Sequence, residues 1–259
     1  MTGILNFRSA AFARAGKEEE PVLLCAPIQI KGWLSTNQEQ LGLIYKKLIL
    51  VPLQFLMKVR HGSEEVETAE HLVKKVLDRL NFVEFIPVPV IHNKHACGVS
   101  ITHKSGWKIV YSGDTRPCQA LVDAGKDCDL LIHEATFADN FKEDAVKKRH
   151  CTNSEAVEIG MKMKAKFILL THFSQRYPKL PMFDKDYNYP IGLAFDFMKV
   201  KLCEVNILSN MIAPLKTIFE DDIKLMENKV TKQKKRKQLL ESIMTYKPDN
   251  LKDRVEKHS

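Results

Sequence analysis

The sequence predicts a layered α/β protein, and three observations lead there. Apolar runs of strand length, such as Leu48–Leu53 and Phe85–Ile91, recur along the chain. Between them lie segments with apolar residues at i, i+4 spacing, so strands and helices alternate. With 259 residues, 44% of them hydrophobic and 28% charged, the chain can bury a sizeable core.

The elements follow in order. Pro21–Ala26 (PVLLCA) reads as a short buried strand, and Gln29 to Gln40 as a helix broken by Gly32 and Gly42. Leu48–Leu56 is a second apolar run. Ser63, followed by Glu64, Glu65 and Glu67, marks a helix start, because acids favour the positive end of the helix dipole. That helix runs through Leu72, Val73, Val76, Leu77 and Leu80 and ends near Asn81. Strands are then expected at Phe82–Ile91, Gly98–His103 and Trp107–Tyr111, with a Gly-containing turn at Lys104–Gly106. A strand at Asp129–His133, a helix around Ser154–Lys162 and a strand at Lys166–Thr171 complete the alternation. Beyond Pro214 the character changes to a helical segment, Ile218 to Met244, carrying the run Lys229-Val230-Thr231-Lys232-Gln233-Lys234-Lys235-Arg236-Lys237. Such a run reads either as a solvated helix or as a nucleic-acid or nuclear-import patch.

Composition narrows the classes. No apolar stretch approaches the about 20 residues needed to span a bilayer. The net charge of +8 favours polyanionic partners. Six cysteines without a C-x-x-C pair suit a reducing compartment and give no structural zinc knuckle. Residues 1–16, with Arg8, Arg14, several alanines and no acid, have the composition of a mitochondrial presequence, but the preferred reading is an ordinary amphipathic helix or connector of the domain.

Three segments deliver a metal-capable side chain at a strand end: Val90-Ile91-His92, Val110-Tyr111-Ser112-Gly113-Asp114-Thr115 and Leu169-Leu170-Thr171-His172. Strand ends are where open α/β sheets build sites. Imidazole and carboxylate together suit Zn²⁺, and a carboxylate can bridge two metals about 3.5–4 Å apart for phosphodiester hydrolysis. Taken singly each has a bland counterpart: a hydrogen-bonded structural histidine, or an aspartate capping the next helix. Order and spacing of all three favour the site.

Ser112-Gly113-Asp114-Thr115, the stretch Leu130-Leu131-Ile132-His133-Glu134-Ala135-Thr136, His150-Cys151-Thr152 and Leu170-Thr171-His172-Phe173-Ser174-Gln175-Arg176-Tyr177 resemble successive motifs of the tRNase Z family. Ala194-Phe195-Asp196-Phe197-Met198 and the basic tail resemble the end of its long form, so the resemblance covers roughly residues 2–219. It implies a four-layer αβ/βα metallo-β-lactamase-type sandwich, with residues 1–215 as the C-terminal portion of that domain and 216–259 as a basic helical tail. It implies an endoribonuclease that removes the 3′ trailer from precursor tRNA, using two zinc ions. His92 would bind one zinc, His172 the other, and Asp114 would bridge them. Glu134 and His150 would form a catalytic pair, with His150 giving a proton to the leaving oxygen; Arg176 would contact a phosphate. Without the resemblance, Glu134 reads as a surface ion pair and His150 as a helix cap. The family is nuclear and mitochondrial, which sets the expected location.

The family's His-x-His-x-Asp-His signature is nowhere in this sequence; His61 and His71 do not substitute by spacing. Thr2-Gly3 resembles the pair that follows the signature, so the sandwich is expected to be incomplete on its N-terminal side. Each zinc would then keep one histidine and a share of Asp114, short of the about three ligands of catalytic zinc. The chain then reads as an inactive piece of a full enzyme, from an incomplete gene model or a truncated isoform, or as one that a completing chain or a second copy, as a homodimer, makes whole. Cys151 stands where the family has serine, and Cys97 where an aromatic is common. Two alternatives stay open: a non-catalytic homologue that binds RNA or a partner, and a hydrolase of the same fold acting on a thioester, a lactam or an mRNA 3′ end.

Overall fold

The computed structural model describes residues 22–41, 48–57, 64–174 and 188–245. Thr2-Gly3, the 4–16 connector, His61 and Arg176 lie outside the described residues.

Strand β1 (Val22–Ala26) pairs in parallel with β2 (Leu48–Pro52), Leu24 lying opposite Leu50. Only Ala26 of β1 is fully buried, so the strand is less enclosed than its apolar composition suggests. Helices α1 (Ile30–Thr36) and α2 (Gln38–Leu41) lie between them. The expected break at Gly32 does not occur. The helix stops at Asn37, whose backbone N–H and side-chain amide both donate to the Trp33 carbonyl. The apolar run 48–56 also splits. Pro52, with φ of −60°, offers no N–H to the ladder and turns the chain into the short helix α3 (Leu53–Leu56).

Helix α4 (Glu64–Arg79) buries Ala69 and Val73 against Val51, with Leu23, Phe55 and Leu77 around them. This is the apolar stripe that i, i+4 spacing produces.

A six-stranded sheet follows in the order β3-β4-β5-β6-β7-β8. Strands β3 (Phe82–Pro89), β4 (Cys97–His103) and β5 (Lys108–Tyr111) are antiparallel neighbours. From β5 onward, β6 (Leu130–Glu134), β7 (Phe167–Thr171) and β8 (Ile191–Leu193) run parallel. The near-continuous apolar strings LLIHE and FILLT fit strands buried on both faces. One face, carrying Val88, Val110, Leu131, Ile168 and Leu170, packs against Leu121 of α5 (Gln119–Ala124) and against Ala156, Val157 and Met163 of α7 (Asn153–Met163). Close approach of α7 depends on Gly160, where a Cβ would lie 2.3 Å from Ile168 Cδ1. Helix α6 (Lys142–Lys148) precedes α7 and ends at Arg149 in a left-handed conformation.

Helix α8 (Ile207–Ile218) lies along β8, and α9 (Glu220–Thr245) closes the described chain. Ile212, Leu215, Phe219 and Ile223 pack on the main core, and Met226 is buried beside Ala138. The start of the tail helix is therefore docked on the domain. Lys232, Lys235 and Arg236, farther along it, are exposed.

Candidate metal centre

Because β5, β6 and β7 are parallel neighbours, their C-terminal ends open on one rim, the place where parallel sheets build sites. β5 leads to Asp114, β6 ends on Glu134 and β7 leads to His172. Asp114 is presented by a turn that requires glycine. Gly113 has φ of +59°, and a Cβ there would sit 2.7 Å from the Cys97 carbonyl oxygen. His92 reaches the same rim from the β3–β4 connection, which is tied to the Asp114 loop at two points. Arg116 N–H donates to Ile91 O at 2.9 Å, and Ile91 N–H donates to Thr115 Oγ1 at 3.1 Å.

His150 lies just before α7. Its loop is fixed to the Glu134 loop by a bridge between Phe137 and Thr152, in which Phe137 N–H donates to Cys151 O and Asn153 N–H to Phe137 O. The helix cap that sequence offers to His150 belongs to Thr152, in a capping box with Glu155. Nor does Asp114 cap a helix, since α5 begins after Cys118.

The geometry brings all five predicted residues together. Asp114 Oδ2 is 3.9 Å from His92 Nε2, and Asp114 Oδ1 is 3.6 Å from His172 Nε2. His92, Asp114 and His150 offer ligand atoms within 4.8 Å of one another, as do Glu134, His150 and His172. Two donors on one tetrahedral zinc, each about 2.1 Å from it, sit roughly 3.4 Å apart. The His–Asp separations are close to that value and too long for hydrogen bonds, so the donor set fits a divalent ion between each pair. His92 is already oriented for it: Nδ1 faces the Arg149 carbonyl oxygen at 2.9 Å, leaving Nε2 toward Asp114. Arg149 Nη1 donates in return to His92 O at 2.7 Å.

Glu134 is the buried anchor, 1% exposed rather than the surface ion pair its type suggests. Its Oε1 accepts from Thr115 N–H at 2.9 Å and pairs with His150 Nδ1 at 2.8 Å. Its Oε2 accepts from both the N–H and the hydroxyl of Thr136, at 3.1 and 2.8 Å. The nearby Tyr111 phenol is pushed above its ordinary pKa by burial first, then by the negative charges of Asp114 and Glu134. Behind the site, Arg116 grips Glu155 and also donates to His150 O at 2.6 Å. Burial raises the Glu155 carboxyl, but the Arg116 hydrogen bonds and charge overcome it and leave the net pKa below the ordinary value. Cys151 donates to Thr115 O at 3.0 Å, and burial pushes its thiol well up, so it serves as a buried inert thiol.

Thr136, Arg116, Glu155 and Arg149 were not singled out by sequence. Two of them carried a legible signal: Thr136 closes the His133–Thr136 motif, and Glu155 is the fourth residue of Thr152-x-x-Glu155, a capping-box pattern.

Comparison with known proteins identifies relatives of this chain and of its fold. A Beta-lactamase superfamily domain matches residues 49–173. Rat Zinc phosphodiesterase ELAC protein 2 is 43% identical over 259 residues, which is 98% of this chain and 31% of that protein. The Arabidopsis thaliana protein tRNase Z TRZ3, mitochondrial, is 40% identical over 161 residues, 58% of this chain and 18% of that protein. Among solved structures, a long form RNase Z from yeast superposes with a TM-score of 0.70 at 27% identity, over 87% of this chain and 34% of that one. The chain thus spans less than a third of the length of these curated relatives. On sequence and fold together, the chain has a metallo-β-lactamase fold and is similar to the C-terminal part of a long-form tRNase Z.

Proposed function

We propose that this chain supplies part of a dinuclear zinc site for hydrolysing the phosphodiester that joins the 3′ trailer to precursor tRNA. The observation that carries the reading is Asp114, which turns one carboxylate oxygen toward His92 and the other toward His172. Zinc ions held there would supply Lewis-acid polarisation of the phosphodiester and activation of the attacking water. The relatives' names, zinc phosphodiesterase and tRNase Z, support that chemistry.

The chain's own residues take three parts. His92, Asp114 and His172 would hold the metal. His150, held at Nδ1 by the buried Glu134, directs its imidazole into the site and, when its other ring nitrogen carries a second proton, passes that proton to the leaving 3′ oxygen. Exposed Lys232, Lys235 and Arg236 offer the RNA backbone a basic helix face, and we assign residues 216–259 to that tail and 1–215 to the metallo-β-lactamase portion. A mitochondrial or nuclear location follows from the same reading, and the mitochondrial names of the Arabidopsis relatives support the first.

Each ion would receive one histidine and one Asp114 oxygen, fewer than the about three protein ligands of catalytic zinc. The remaining donors would come from outside these 259 residues, whether from a longer form of the same protein, a completing chain or a second copy. That shortfall favours a second reading, a non-catalytic tRNA-binding homologue. The test is cleavage of a 3′-extended precursor tRNA by the 259-residue chain with zinc, beside His172→Ala. Cleavage at the trailer junction that His172→Ala abolishes supports the enzyme. Salt-sensitive tRNA binding without cleavage moves the chain to the second reading.

A further inference from the structure

Thr136 Oγ1 touches three groups of the site at once. It lies 2.8 Å from Glu134 Oε2, 2.7 Å from His172 Nδ1 and 3.3 Å from His150 Nδ1. A hydroxyl has one proton to give. Glu134, buried and surrounded by donors on both oxygens, takes that proton at Oε2. The Thr136 oxygen is then an acceptor toward His172, and His172 must carry its proton on Nδ1. His150 Nδ1 meets Glu134 Oε1 directly at the shorter distance of 2.8 Å, so its proton also sits on Nδ1.

We infer that Thr136 is a positioning residue through which the single buried carboxylate of Glu134 sets the tautomer of His172 as well as that of His150. The chain of donors runs from His172 Nδ1–H to Thr136 Oγ1–H to Glu134 Oε2. Its effect is to leave the His172 Nε2 lone pair facing Asp114, 3.6 Å away. The backbone supports the same arrangement. Thr136 O accepts from Ser174 N–H at 3.1 Å, and Ala135 N–H donates to Thr171 O at 2.9 Å, so both sides of His172 are stitched to the Thr136 segment. His172 itself has a left-handed backbone, φ of +61°. This matters because His172 is the more exposed ring, with 48% of its side chain accessible against 14% for His150. Packing alone does not lock an exposed imidazole; a hydrogen bond to an oriented hydroxyl does.

The test reads tautomers without metal or substrate, so its outcome is separable from that of the zinc and RNA reading. The ¹⁵N-labelled 259-residue chain is stripped of metal and held at about pH 8, where imidazoles are mostly neutral. Long-range ¹H–¹⁵N spectra then report which ring nitrogen of each histidine carries the proton, with His172→Ala and His150→Ala assigning the signals. The expected result is Nδ1–H for both in the wild type. Thr136→Val should release His172 to a mixture of tautomers and leave His150 unchanged, and Thr136→Ser should restore the wild-type pattern. Glu134→Gln should disturb both signals, although Glu134 does not touch His172. This second variant keeps the inference open to refutation if Thr136→Val fails to fold. A wild-type His172 protonated on Nε2 overturns the inference. So does a His172 signal that either Thr136→Val or Glu134→Gln, once folded, leaves unmoved.

Discussion

Arg116 holds Glu155 with both of its terminal nitrogens, at 2.7 and 2.6 Å, and the nitrogen that makes the longer contact also donates to the His150 carbonyl. The pair is largely sheltered from solvent, and Glu155 additionally caps α7 through the Thr152 N–H. One ion pair therefore sets the start of a core helix and the backbone of a site residue.

Replacing Glu155 by Gln leaves Arg116 charged and poorly compensated. Breaking a buried pair from one side costs about 3 kcal/mol, which denaturant unfolding would register as a lower midpoint at unchanged slope. The pH dependence has a definite sign. Glu155 titrates below its ordinary value in the fold, so its contribution is full above the ordinary carboxylate pKa and is lost as pH falls through the folded one. Glu155→Gln should remove that acid-side loss, and an unaltered profile would count against the pair's role.

Asp114→Asn keeps the shape of the side chain and removes the charge that two ions would share. Loss of partners outside the ligand shell typically costs about 10–100-fold in metal affinity. A bridging ligand should cost more, at least about 100-fold, with less than one zinc bound per chain in equilibrium dialysis. Retention of wild-type zinc by Asp114→Asn would exclude the bridge.

The strand ends were legible because burial and chemistry change together there: FILLT turns from apolar to His172 within one residue. So was α7, whose capping box is written as Thr152-x-x-Glu155. Short elements were not. β8 has three residues and gains its place from pairing Ile191 with Ile168, which no local pattern announces. Helix α8 gains its place because Leu208, Ile212 and Leu215 find the core, a tertiary fact. The hydrogen bonds of Thr136 were hidden for the same reason. His172 is 36 residues away in the chain and becomes a neighbour through the β6–β7 register, with Glu134 opposite Thr171.

Gly113→Ala tests how the Asp114 turn is held. Alanine would have to adopt φ of +59° and place its Cβ 2.7 Å from the Cys97 carbonyl oxygen. The left-handed conformation alone costs about 1–2 kcal/mol, and the clash adds to it. The expected outcome is a loss of about 2 kcal/mol or more in unfolding free energy, together with weaker zinc binding as Asp114 is displaced. A variant of wild-type stability would show that the turn has room the geometry denies.

His133 makes the last case, because its stability effect has the sign of a buried neutral histidine. It is fully buried, its Nδ1 meets Glu134 O at 2.6 Å, and its Nε2 has no hydrogen-bond partner among the described residues. Burial lowers its pKa, outweighing the hydrogen bond and the Glu134 charge that raise it. The unfolded chain, titrating near the ordinary value of about 6.5, therefore takes up the proton first as pH falls. Stability should be full above about pH 6.5 and decline below it, until the folded pKa is reached. His133→Leu removes both the titration and the unpaired nitrogen, whose burial costs about 1–3 kcal/mol. It should flatten the decline between about pH 7 and pH 5 and leave the neutral-pH stability equal or slightly higher. Urea midpoints at the two pH values, for wild type and variant, decide the matter. A parallel decline in both would place the acid lability elsewhere, with the Arg116–Glu155 pair the next group to examine.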